Sequence, residues 1–194
     1  MSAERDTGVR AALLLAHWWS RPTIEELDTW KDVWGEAQAT AAALGFDSTA
    51  VDELRDAAEV AEPEPLCDEY ERLLNGPGRA PCAPYESLWR GDLPPQEHGM
   101  LMTSAAEAVG DVYRTLGLRL RTDPRELPDH LLVEWEALAY ALESGSPDAS
   151  DLLLRDHLAR WMAPFCQAVT DETEHPFYTT LAMLTPAWTA ALAE

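Results

Sequence analysis

Apolar residues recur along this chain at intervals of three and four, and hardly anywhere at two. Leu27, Trp30, Trp34, Ala37, Ala41 and Leu44 form one stripe. It predicts a long helix, opened by a Thr23–Glu26 capping box and followed by Gly45. Val51, Leu54 and Ala58 predict a shorter helix after Asp47, and Leu66, Tyr70 and Leu73 another that ends at Asn75-Gly76-Pro77-Gly78. Leu101, Ala105, Val109, Val112 and Leu116 mark a long helix closed by Gly117. Leu131, Trp135, Leu138 and Leu142 mark the next, up to Ser144. Leu154, Leu158 and Trp161 line a helix before Pro164, and Tyr178, Leu181, Leu184 and Trp188 the last, with a kink expected at Pro186. Leu118 to Arg121 alternates too briefly for a strand. The pattern predicts an all-α chain: one helical domain over residues 1–194, a bundle of about eight to ten helices without an internal repeat.

Two interruptions stand out. Ala61 to Pro65 is a stiff polar joint. Residues 75–95 carry no helical pattern but hold five prolines, Tyr85 and Trp89. Loops of this length in compact domains are functional or disordered, and the aromatics argue for order.

Charge narrows the partners. The chain has 35 acidic and 14 basic residues, a formal net charge of -21. It should repel nucleic acid and anionic membranes and attract cationic partners. The apolar run Ala11–Ala16 is too short to span a bilayer, so no stable membrane insertion is expected. Cys67, Cys82 and Cys166 form no motif and suit a reducing compartment. These features predict a cytoplasmic protein.

Candidate chemistry concentrates between Glu126 and Glu134. Pro128 and Asp129 suit a helix start. His130 and Glu134 stand one turn apart on one face, so Asp129, His130 and Glu134 are candidates for a polar cluster opening onto a groove. A helical metal-dependent enzyme using His130, Glu134 and Glu126 is the alternative, although the paired Glu-x-x-His motifs of di-metal bundles are missing. Ser87 lies in no nucleophile elbow, and Gly76-Pro77-Gly78 lacks the Lys and Ser/Thr of a phosphate loop.

Three segments together resemble the TorD/DmsD family of redox-enzyme maturation chaperones and its NarJ branch. They are Tyr70–Gly78 running into Pro81-Cys-Ala-Pro-Tyr-Glu-Ser-Leu-Trp89; the hallmark-like Glu126-Leu-Pro-Asp-His-Leu-Leu-Val-Glu-Trp-Glu-Ala-Leu138; and His157-Leu-Ala-Arg-Trp161 with Phe177-Tyr-Thr-Thr-Leu-Ala182. Trp135, Ala137 and Leu138 depart from the Leu, Phe and Met usual in that hallmark. The likeness spans about residues 66 to 190.

The resemblance implies an all-helical cytoplasmic chaperone rather than a catalyst, with no cofactor or metal of its own. Its implied partner is the apo form of a molybdopterin-dependent oxidoreductase catalytic subunit, bound through its twin-arginine signal peptide or N-terminal segment. The chaperone itself would be a monomer or a domain-swapped dimer. The implied peptide-binding residues are Pro128, Asp129 and His130, with Tyr85, Glu86 and Trp89. In physical terms, Glu86, Asp129 and Glu134 are expected to receive guanidinium groups. Trp89, Tyr85 and Trp135 would supply apolar and cation–π walls.

Overall fold

A computed structural model describes residues 3–23, 29–76, 80–120 and 126–194. Glu26 and Leu27 of the first stripe, the Pro77-Gly78 turn and Arg121 lie outside them. The helices are α1 (Ala3–Trp18), α2 (Trp34–Ala43), α3 (Thr49–Val60), α4 (Pro63–Tyr70), α5 (Glu86–Trp89), α6 (Ser104–Thr115), α7 (Leu131–Ser144), α8 (Pro147–Asp151), α9 (Ala159–Glu172) and α10 (Pro176–Leu192). Two π-helical stretches, Glu71–Asn75 and Leu152–Leu158, extend α4 and join α8 to α9. No strand is present among the described residues; one isolated antiparallel bridge pairs Tyr85 with His130.

Three boundaries differ from the periodic reading, each for a local reason. Trp30 falls in a 3-10 turn (Thr29–Asp32), separate from α2. The break lets neighbouring rings reach different partners: Trp30 stacks on Phe177 with ring centroids 4.9 Å apart, and Trp34 on Trp18 at 5.6 Å. Leu101 is left exposed, because α6 begins only where the Glu97 carboxylate accepts from the Ser104 N–H (2.8 Å) and hydroxyl (2.6 Å). Pro164 does not end its helix but sits inside α9, whose face carries buried Trp161, Phe165, Cys166 and Val169. Packing on that face outweighs the one backbone bond a proline forfeits.

α1 packs chiefly on α7, α9 on α10, and α10 also on α3. Tryptophans fill the middle: Trp18, Trp19, Trp135, Trp161 and Trp188 are essentially inaccessible. Phe165 is a hub, touching Trp19, Trp89 and Trp161 at 5.2, 5.8 and 5.4 Å. It thereby ties α1 and the short α5 to α9. The Trp19 indole N–H donates to Thr185 Oγ1 (2.9 Å) in this interior. Thr185→Val keeps the shape but leaves that N–H without an acceptor, so unfolding free energy should fall by about 2 kcal/mol in urea titration. A loss below about 0.5 kcal/mol would contradict that account. No helix among the described residues is long and apolar enough to cross a membrane.

Candidate functional site

The loop after α4 is held by its backbone. Cys82 N–H donates to Leu73 O (2.9 Å), Leu131 N–H to Pro84 O (2.9 Å) and Glu86 N–H to Asp129 O (2.9 Å). The last two flank the Tyr85–His130 bridge, so the residues just before α5 lie antiparallel to those just before α7. Tyr113 Oη, from α6, donates to Pro128 O (2.8 Å) and fixes the corner from a third side. Two sequence segments more than forty residues apart thus form one structural unit.

Side chains then divide into an inner and an outer set. The inner set is Glu86, Asp129 and Glu134, all fully buried. Glu86 accepts from His157 Nδ1–H (2.8 Å) and from Arg90 Nη1 (2.9 Å), while Arg90 also holds Asp92 (2.7 Å) and the Asp156 carbonyl (2.9 Å). Asp129 Oδ2 accepts from the Ser87 N–H (3.1 Å) and hydroxyl, and that hydroxyl lies 2.7 Å from Thr103 Oγ1. Glu134 Oε2 accepts from the Trp161 indole (3.1 Å). Asp129 Oδ1 and Glu134 Oε1 are buried without a hydrogen-bond partner. Burial is the main reason both carboxyls titrate higher than usual; neighbouring Glu86 adds to it.

These positions correct the expected role of the three carboxylates. Their oxygens point into the protein, where they hold α5, α7 and α9 together, and none is exposed to an incoming guanidinium. Trp135 is likewise core rather than groove wall. Trp89 turns inward too: its indole donates to Ala83 O (2.8 Å) and its ring packs on Phe165.

The metal-enzyme alternative fails on the same geometry. Glu134 faces Trp161, whereas His130 Nε2 faces Glu126 at 3.6 Å. Among the described residues no group of three or more His, Cys, Asp or Glu side chains is placed to hold a metal ion. Cys82 is fully buried, and burial pushes its thiol up to about 12.

The outer set is Tyr85, Glu126, Pro128 and His130. The His130 ring meets Tyr85 edge-on at 5.2 Å. Its Nδ1 accepts from Leu132 N–H (3.2 Å), capping α7 and leaving the ring proton on Nε2, toward Glu126. Burial pulls the His130 pKa down to about 4, so at neutral pH the imidazole is uncharged and its contact with Glu126 is not an ion pair. Beside it runs a groove of about 400 Å³ with Leu132, Val133 and Tyr140 on its wall and two carboxylates, Glu126 and Glu136, against one guanidinium, Arg119, along it. A second cavity of about 690 Å³ shares Tyr113, Glu126 and the 118–120 segment with it, and reaches Met102 and Pro128.

Sequence reasoning missed Arg90, His157, Ser87 and Thr103 as supports of this corner. Two signals were available: Arg90 lies four residues after Glu86, and His157 shares a helical face with Trp161.

The profile described as nitrate reductase delta subunit matches residues 45–167, more than half of the chain and all of this corner. The chain belongs to the nitrate reductase delta subunit family. Relatives of this family member include the Tat proofreading chaperone DmsD of Salmonella paratyphi A, 27% identical over 121 residues, and that of Salmonella typhimurium, 26% identical. Each alignment takes in 62% of this chain and 57% of the relative, so the chain spans little more than half the length of the relatives it matches. Among solved structures, one from Archaeoglobus fulgidus, described as a candidate redox enzyme maturation protein, superimposes with a TM-score of 0.60 at 22% identity. It covers 98% of this chain and 95% of its own, which establishes the shared fold.

Proposed function

We propose that this delta-subunit family member is a cytoplasmic chaperone. It binds the twin-arginine signal peptide or N-terminal segment of an apo molybdopterin-dependent oxidoreductase subunit and assists its maturation and cofactor insertion before export or assembly. The observation that carries the reading is the groove beside His130. It joins an apolar wall to two accessible carboxylates, the chemistry required by two guanidinium groups followed by an apolar segment. Glu126 and Glu136 take the role first given to Glu86, Asp129 and Glu134, which act instead as supports. Pro128 lines the adjoining cavity, Tyr85 packs edge-on against His130, and Trp89 packs inward on Phe165. The net charge of -21 adds long-range attraction for a cationic leader, weakened by salt.

Calorimetric titration with a synthetic twin-arginine leader tests the reading. Glu126→Gln combined with Glu136→Gln should weaken binding about tenfold, since each accessible charge-assisted bond contributes about 0.7 kcal/mol. Replacing both peptide arginines with glutamine should produce a similar loss. Absence of binding to every such leader, or unchanged affinity in the double variant, would overturn it.

A further inference from the structure

A second groove lies between α3 and α10 and shares no lining residue with the one beside His130. It consists of two cavities, about 200 and 580 Å³, which meet at Glu53 and Thr180. Its apolar surface is unusually open: Val60 is 82% exposed, Met183 68% and Phe46 37%. Large apolar side chains left open along the length of one groove are the footing an interaction surface needs. Methionine in particular adapts its shape to a partner.

Charge selects the partner. Asp47, Glu53 and Asp56 rim the groove, and no Lys or Arg lines it among the described residues. The Arg55 guanidinium of α3 is already engaged by Asp52 and Asp56, both at 3.1 Å. The twelve residues of α3 extend about 18 Å at 1.5 Å per residue, enough to lie along about three turns of another helix. A second copy of this chain would bring one acidic rim against another, and an anionic membrane would be repelled in the same way.

We propose that the α3–α10 groove docks a basic amphipathic helix of a protein partner. Its apolar face would lie on Val60, Met183 and Phe46, with lysines or arginines against Glu53 and Asp47. This surface is additional to the leader site and does not depend on it, so a molecule could hold both at once.

A sixteen-residue helical peptide of leucine and lysine, with leucines on one face, is the probe. Amide shifts in the labelled protein should cluster on residues 46–60 and 180–187. Met183→Asp should weaken binding at least tenfold, although it makes the protein more negative. Leu13→Asp adds the same charge at another exposed apolar position and should leave affinity unchanged or slightly improved. Val60→Asp provides a second, even more exposed variant should Met183→Asp lose helical content. Equal binding by the Met183→Asp and Leu13→Asp proteins would show attraction to overall charge alone and overturn the proposal. So would a lack of binding, or a concentration-dependent dimer in sedimentation that Met183→Asp dissolves.

Discussion

His157→Ala should lower the free energy of unfolding by about 3 kcal/mol, read as a drop in the urea midpoint at unchanged slope. The imidazole gives Glu86 its closest hydrogen bond, at 2.8 Å in a site with no solvent access. Its removal leaves a buried carboxyl group with Arg90 as its remaining side-chain partner and opens a cavity between α5 and the stretch preceding α9. Breaking a buried pair from one side costs far more than replacing both members, because the surviving charge stays desolvated. The Glu86→Gln, His157→Ala double variant should therefore be less destabilised than the sum of the single changes. Because α5 follows directly on the Tyr85 bridge, the single variant should also bind leader peptide less well. A midpoint unaffected by His157→Ala would mean that the pair contributes nothing to stability.

Acid should weaken the fold through His130, and the direction follows from its depressed pKa. The folded state holds this imidazole neutral down to about 4, whereas the unfolded chain protonates it near 6.5. Between those values the unfolded state binds the extra proton, so stability is lost as pH falls through the window. The full difference corresponds to about 3 kcal/mol. Asp129 and Glu134 act in the opposite sense, because their raised carboxyl pKa values favour the protonated form in the fold. They gain stability on acidification and partly mask the loss. His130→Asn isolates the effect: asparagine can cap α7 in the same way but does not titrate. Stability near pH 7 should match the parent closely, and the variant should pull ahead by up to about 3 kcal/mol toward pH 4. Parallel pH profiles would show that protonated His130 is tolerated in place.

The helices were legible because their stripes repeat every three or four residues, and most of those residues are indeed core. The depth of the carboxylates was only half legible. Glu134 lies with Leu131, Trp135 and Leu138 at spacings of three, four and seven, which puts it on the buried face of its own helix. Glu86 gave no such signal, since it opens a single helical turn within a proline-rich stretch and its closest partner lies 71 residues further along the chain. Family likeness linked Tyr85 and His130, and the structure brings them edge to face. It could not reveal that Trp89 turns inward, because that depends on an indole bond to a backbone oxygen six residues earlier. Pro164 misled for a similar reason: local rules see the missing N–H but not the partners that α9 packs against.

The join between the proline-rich loop and the Pro128–His130 corner is made by main-chain atoms of Pro84, Glu86, Asp129 and Leu131. Main-chain seams do not care which rings hang from them. Tyr85 can therefore change identity, and His130 can give way to another residue able to cap α7, while the socket beneath keeps its outline. A lineage, or a protein engineer, has a place where surface chemistry can be altered without rebuilding the wall that carries it.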